Sequence, residues 1–251
     1  MRVVIVGSGN VATVLGRLIK RAGHEIVQVI SRDADNAKTL ATEFQCSWTD
    51  SHGPVQNNTD MYLIAIKDSA LYELNKVFHA GNILVVHTAG SISKDILKDI
   101  SHNYGVLYPL QSLRKEMDAS AGIPLLVDGN TAETIALIMD FAKSISDKVV
   151  VAGDEQRLKL HVAAVIVSNF TNHLYALAAG FCENEHINFS MLTPLILETA
   201  ERIKDHSPAS VQTGPALRND LFTLEKHLRL LDAYPKLKYM YVKFTESIMK
   251  E

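Results

Sequence analysis

Short apolar runs alternate with helical patterns through residues 1–153. The runs are Val3–Val6, Ile26–Ile30, Met61–Ile66, Ile83–Val86, Val106–Leu110, Leu125–Val127 and Val149–Val151. They are continuous and rich in Val and Ile, as strands are when helices cover both faces of a parallel sheet. Between them the pattern predicts helices over Val11–Ala22, Ala34–Phe44, Ser69–Phe78 and Ala132–Ser144. This alternation predicts an α/β domain with a doubly wound parallel sheet. After Gly153 no strand-like run follows. Asp154–Glu185 reads as one long helix, Ser190–Asp205 as a second with Ser190 at its N-cap, Gly214–Leu231 as a third with Pro215 in its first turn, and Pro235–Lys250 as a fourth. In the third, leucines at 217, 221, 224, 228 and 231 form one apolar stripe facing a partner helix. The expected organisation is an α/β domain over 1–153 and a helical domain over 154–251.

Charge and cysteine content narrow the class. Lys plus Arg (25) nearly balances Asp plus Glu (28), for a net charge of -3, which argues against a nucleic-acid binder. The two cysteines, Cys46 and Cys182, make neither a disulfide framework nor a paired metal site. Met1 leads straight into Arg2–Val6 and a glycine turn, so no signal peptide is expected. The longest apolar stretch, Val162–Phe181, is interrupted by Asn169, Asn172 and His173 and reads as a buried helix, not a membrane span. Without a secretory signal, the Asn-x-Ser/Thr sequons at Asn57, Asn169 and Asn188 carry no weight. A cytoplasmic protein with no membrane and no nucleic-acid partner is expected.

The strongest local motif is Gly7-Ser8-Gly9-Asn10-Val11-Ala12, which follows a buried strand and opens a helix. The first glycine makes the tight turn, the second lets the backbone approach a pyrophosphate, and Ala12 permits close helix–strand packing. The free N–H groups and positive dipole end of the helix then hold the phosphates. The second strand ends Ile30-Ser31-Arg32-Asp33. An acidic residue here holds a ribose 2′-hydroxyl, and an arginine suits a 2′-phosphate. Ser31 and Arg32 favour NADP, with Asp33 as the cap of the next helix; a strand one residue longer would instead give Asp33 the acidic role.

Other strand ends read Ile66-Lys67-Asp68, His87-Thr88-Ala89-Gly90 and Tyr108-Pro109-Leu110-Gln111-Ser112. In open α/β sheets the ligand lies beyond these carboxyl ends. Ile66, Lys67 and Thr88 are expected to touch the cofactor, and His87 and Gln111 the substrate; the alternative for His87 is a core histidine with its hydrogen bonds satisfied. No HExxH, paired-cysteine or EF-hand spacing occurs, so no metal is implied. On the helix from Asp154, His161, Ser168 and Asn172 fall within about 40° of one another. A polar stripe on an apolar helix either faces a ligand or bonds to neighbouring helices, and Asn169 lies to its side. Further on, Thr213 reads as a helix cap, and Arg218 in the first turn, unfavourable with the helix dipole, suggests an anionic partner.

In order, the blocks GSGNVA, ISRD, IAIKDSAL, VVHTAGS, GVLYPLQSL, EQRLKLHVAAVIVSNFTNHLYALA and QTGPALRND resemble the Rossmann-like NADP oxidoreductases related to coenzyme F-420-dependent NADP reductases, which carry a C-terminal helical domain of unknown function. The resemblance covers essentially the whole chain. It extends distantly to pyrroline-5-carboxylate reductase, ketopantoate reductase and the 6-phosphogluconate dehydrogenase group, where the helical domain supplies catalytic residues and makes a dimer. It implies a Rossmann domain followed by a helical domain like the C-terminal one of 6-phosphogluconate dehydrogenase. It also implies that Gly7, Gly9 and Ala12 hold the pyrophosphate and that Ser31 and Arg32 read the 2′-phosphate. Hydroxyacid dehydrogenase relatives carry a lysine, and an asparagine four residues on, in the first long helix; here His161 is followed by Val165, which makes His161 a positional substitute.

The expected activity is hydride transfer between NADPH and a small carbonyl, imine or hydroxy compound. His161 is the expected general acid or base, because an imidazole titrates near neutral pH. Asn169 assists it, while Gln111, Ser168, Asn172, Thr213 and Arg218 orient a small-molecule substrate. The helical half is expected to close over the nicotinamide and to form a homodimer. A nucleotide-binding sensor or scaffold without turnover is the alternative, favoured by the missing lysine.

Overall fold

The computed structural model describes residues 1–50, 53, 55, 56, 58–74, 78–117 and 122–249. The Asn57 sequon, residues 75–77 of the third predicted helix and Lys250 lie outside the described residues. Among them, eight strands form one sheet: β1 (Arg2–Val6), β2 (Glu25–Ile30), β3 (Ser47–Thr49), β4 (Met61–Ile64), β5 (Leu84–His87), β6 (Tyr104–Pro109), β7 (Leu125–Gly129) and β8 (Val149–Val151). The order across the sheet is β3-β2-β1-β4-β5-β6-β7-β8. Helices α1 (Asn10–Arg21), α2 (Ala34–Phe44), α3 (Asp68–Leu74) and α4 (Ala132–Ile145) connect them.

The continuous apolar runs follow from two-sided burial, since successive side chains of a strand point to opposite faces. Val3 and Ile5 of β1 join Leu15, Ile19, Leu40 and Phe44 in one core layer. Val4, between them, packs on the other face with Tyr62, Ile64, Leu71 and Leu97. The sheet departs from the predicted one twice. β7 runs antiparallel to β6, so the sheet is mixed. The edge strand β3 escapes the pattern because it is three residues long and half exposed, Trp48 and all.

The chain divides into two compact units, Met1–Asn169 and Phe170–Glu251. The loss of strands after Gly153 marks where the sheet ends, whereas the first unit also includes α5 (Asp154–Ala164) and most of a π-helical segment (Val165–Phe170). The second unit holds α6 (Thr171–Asn184), α7 (Thr193–Arg202), α8 (Leu221–Leu230) and α9 (Pro235–Met249).

Two predicted caps are corrected. Asn188, not Ser190, caps the 3-10 turn before α7, accepting the Ser190 N–H at 3.0 Å. Asp220, not Thr213, caps α8, accepting from the Thr223 N–H at 3.1 Å and the Thr223 hydroxyl at 2.7 Å. Gly214 and Asn219 both take positive φ, so the chain turns through this stretch and Pro215 and Arg218 precede the helix. Arg218 therefore has no conflict with the dipole of α8. Of the leucine stripe, Leu224 and Leu231 are buried and Leu217 and Leu221 are exposed.

The stretch Asp154–Asn184 is helical throughout, and by length and composition could cross a membrane. The expectation that it is buried is not met: none of its most apolar window is buried within the chain, and Val167 and Phe170 are 71% and 58% exposed.

Candidate active site

The parallel pairing of β1, β2, β4, β5 and β6 brings their carboxyl ends to one edge of the sheet. Gly7 leaves β1 at φ +122, donating its N–H to the Ile30 carbonyl at 2.7 Å. A Cβ on Gly7 would lie 2.1 Å from the Ala65 carbonyl oxygen, so only glycine lets the turn sit against the end of β4. Gly9 is the N-cap of α1 and supplies no side-chain cap, leaving the first N–H groups of the helix open. Nothing lies within 4 Å of where its Cβ would be. Ala12 is fully buried. This is a turn with space and donors for a phosphate.

Around it, the Ser8 hydroxyl donates to Ser31 at 2.8 Å, tying the turn to the end of β2. The exposed Arg32 guanidinium makes no hydrogen bond or ion pair among the described residues. Asp33 does cap α2, accepting the Asn36 N–H at 2.9 Å, and that bond first of all holds its carboxyl below the usual range. Both its oxygens bond Asn36, as a helix cap does. Asn10 accepts the Lys115 N–H at 3.3 Å, placing the segment after β6 beside the start of α1. Ile66 and Lys67 come just after Ala65 at the end of β4, and Thr88 is nearly buried, its N–H bonded to the Ile64 carbonyl at 3.1 Å.

A cleft of about 440 Å³ opens after β6, lined by Tyr108, Leu110, Gln111 and Ser112 on one side and by Leu160–Asn169 residues, among them His161, Ser168 and Asn169, on the other. His161 and Tyr108 meet inside it, with imidazole Nδ1 and phenol oxygen 2.8 Å apart and the rings edge-on at 74°. Gly90 allows this approach: a Cβ there would sit 2.7 Å from His161 Nδ1 and 2.9 Å from Tyr108 Cζ. Burial raises the Tyr108 hydroxyl above its usual range, and nearby Asp68 adds to the rise while Arg157 opposes it.

The start of α5 fixes this geometry. Arg157 is 1% exposed and donates to the Ile92 carbonyl and, at 2.8 Å, to Asp154. Asp154 in turn accepts from the Ser93 hydroxyl and the Lys94 N–H. These bonds clamp α5 to the 90–94 turn, and one helical turn after Arg157 comes His161. Nε and Nη1 of Arg157 are buried without a partner among the described residues.

His87 does not line the cleft. It is fully buried, its Nδ1 accepts the Ala89 N–H at 3.1 Å, and its Nε2 faces the Ser93 carbonyl at 3.3 Å. Burial, and secondarily Arg157, push its pKa down to about 4. It is a neutral core histidine that shapes the turn at Gly90. Asn172 lies in α6, beyond the π-helical segment Val165–Phe170. Asn172, Thr213 and Arg218 belong to the second unit. The sequence reading overlooked Tyr108 as a partner, Gly90 as a close approach, and Arg157, whose spacing of four from His161 was a usable signal. Among the described residues, no three His, Cys, Asp or Glu side chains gather to hold a metal.

A Rossmann sheet with an uncapped glycine turn and a cleft holding a histidine–tyrosine pair at its carboxyl edge defines a nucleotide-dependent oxidoreductase, and the comparisons agree. Residues 2–90 match the coenzyme F420-dependent NADP oxidoreductases, and residues 123–248 match a domain of unknown function, DUF2520. A Bacteroides fragilis protein assigned as an NADP oxidoreductase is 36% identical, with a TM-score of 0.94 over 100% of this chain and 98% of that one. The chain belongs to the family of NADP oxidoreductases that joins these two domains. More distant structures share the fold. A Streptococcus pyogenes 1-pyrroline-5-carboxylate reductase has 16% identity and a TM-score of 0.65, covering 100% of this chain and 99% of that one. A Myxococcus stipitatus imine reductase bound to NADP+ has 13% identity and a TM-score of 0.63, covering 100% and 92%. No curated protein matches the chain.

Proposed function

We propose that the protein reduces a small, largely apolar carbonyl or imine with NADPH, and that His161 delivers the proton. The observation that carries this reading is the placement of His161 in the cleft at the carboxyl edge of the sheet, held by Tyr108 at 2.8 Å. NADPH, when bound, supplies the hydride. Gly7, Ser8, Gly9 and the open N–H groups of Asn10, Val11 and Ala12 hold its pyrophosphate, and Ser31 and Arg32 hold its 2′-phosphate. Ile66, Lys67 and Thr88 border the nicotinamide end. His161 gives a proton to the substrate heteroatom, while Gln111, Ser168 and Asn169 orient that atom by hydrogen bonds. The remaining walls, Leu110, Leu160, Ala164 and Val165, favour an apolar substrate body. Imine chemistry is supported by the likeness to the 1-pyrroline-5-carboxylate reductase and the imine reductase.

The test is NADPH oxidation across a panel of carbonyls and cyclic imines. Turnover of at least one is expected, and His161→Gln should keep NADPH affinity while lowering turnover about 10²–10⁴-fold, the range of positioned acid catalysis. An active protein unaffected by His161→Gln refutes the assignment. A protein that binds NADPH and turns over nothing supports the sensor or scaffold reading, which the missing lysine favours.

We also propose that a second copy of the chain covers the apolar faces left open. Val162, Ile166, Val167, Phe170, Leu195, Leu221 and Phe222 are all exposed in one chain. A stable interface of this kind buries on the order of 2,000 Å² or more. Light scattering should return twice the 27.7 kDa of one chain; the single mass at micromolar concentration rejects the dimer.

A further inference from the structure

His161 can carry its neutral proton on either ring nitrogen, and only one choice presents an N–H away from Tyr108. The phenol oxygen lies 2.8 Å from Nδ1. Two arrangements satisfy that distance: the hydroxyl donates to an unprotonated Nδ1, or an Nδ1–H donates to the oxygen. Tyr108 is 9% exposed and its hydroxyl has no other partner among the described residues. In the second arrangement its hydrogen has no acceptor among the described residues, a loss that the first arrangement avoids. The first arrangement is therefore favoured, and it places the ring proton on Nε2. Nε2 has no partner among the described residues, and His161 lines the cleft. The nitrogen that carries the proton is thus the one left available to a substrate.

The geometry points to Tyr108 as a positioning residue that locks His161 in the Nε2–H tautomer and aims that proton into the cleft. This deepens the acid role given to His161 and rests on it. Three features of the fold serve the lock. Gly90 leaves the space that the pair occupies, since a methyl there would overlap both rings. Arg157, Asp154 and the 90–94 turn fix the start of α5, and with it the height of His161 along the helix. Burial keeps the Tyr108 hydroxyl protonated, so that it stays a donor. During reduction Nε2 releases its proton to the substrate heteroatom as the carbon is reduced. Nδ1 takes the Tyr108 proton in its place; a solvent proton then reaches Nε2 through the cleft and the Nδ1 proton returns to the phenolate, which restores the Nε2–H tautomer and the Tyr108 hydroxyl and balances charge and protons over the cycle.

The experiment is nitrogen-15 NMR of the full-length protein labelled at histidine, with the His161 signals assigned by their loss in His161→Gln. Wild-type His161 should show the Nε2–H tautomer, with Nδ1 unprotonated. Tyr108→Phe should give a mixture of the two tautomers, keep NADPH affinity, and lower turnover about tenfold, the rate equivalent of one hydrogen bond. Gly90→Ala, which forces the rings apart, should give the same mixture and serves where Tyr108→Phe does not fold. An Nδ1–H tautomer in the wild type, or an unchanged tautomer in both variants, overturns the proposal. So does a lost tautomer preference with turnover unchanged. The tautomer is read without substrate, so its failure is distinct from a failure to find turnover, which counts against the acid role of His161 alone.

Discussion

The two glycines of the phosphate turn are alike in sequence and opposite in consequence. In Gly7→Ala the new methyl would sit 2.1 Å from the Ala65 carbonyl oxygen and 2.7 Å from its carbon, on a backbone at φ +122. The positive φ costs about 1–2 kcal/mol for a side chain, and overpacking against a rigid strand end adds about 1–3 kcal/mol. The sum, about 2–5 kcal/mol, lowers the melting temperature by roughly 4–20 °C at 2–4 °C per kcal/mol for a chain of this size. In Gly9→Ala the methyl meets nothing within 4 Å, at an ordinary φ of -84. Its only structural cost is a poorer N-cap, below about 1 kcal/mol. That open space is where the pyrophosphate is expected, so Gly9→Ala should weaken NADPH at least tenfold. Melting followed by circular dichroism and NADPH fluorescence titration separate the two effects. An unchanged melting temperature in Gly7→Ala refutes the packing argument. Full NADPH affinity in Gly9→Ala refutes the placement of the phosphates.

Arg32→Ala should weaken NADPH about tenfold or more and leave NADH nearly unchanged, because a charge-assisted bond to the 2′-phosphate is worth roughly 1.5–3 kcal/mol; equal losses in paired titrations argue against the role of Arg32. His87 makes stability pH-dependent. Its folded pKa of about 4 lies below the ordinary 6.5, so the unfolded chain binds a proton first as pH falls. The stabilising difference is complete above pH 6.5 and is lost between there and about 4, amounting to about 3 kcal/mol. Urea unfolding of His87→Gln across that window should show a flatter pH dependence than the wild type, from a lower starting stability; parallel slopes contradict the buried neutral state.

The linear pattern determined most of the first unit. Two-sided burial writes each central strand as a Val/Ile run, and a glycine turn between a strand and a helix needs only adjacent residues, so Gly7, Gly9 and the Asp33 cap were legible locally. The strand β3 was not, because an edge strand of three residues has no apolar repeat to show. The direction of β7 was not, because parallel and antiparallel neighbours bury the same residues. The candidate site was half legible. The order of strands on the sheet brings the ends of β1, β2, β4, β5 and β6 to one edge, and a general rule places ligands there. Which polar groups face the cleft depended on contacts made across long stretches of chain. His87 and His161 look alike as lone histidines, yet one is sealed by its own turn and the other meets Tyr108, 53 residues earlier, over a glycine. The π-helical turn that carries Ser168 and Asn169 had no residue pattern to announce it. Hydrophobic periodicity records only whether a side chain is sheltered from water. What shelters it, and which nitrogen of an imidazole is left to do chemistry, is decided when distant segments pack.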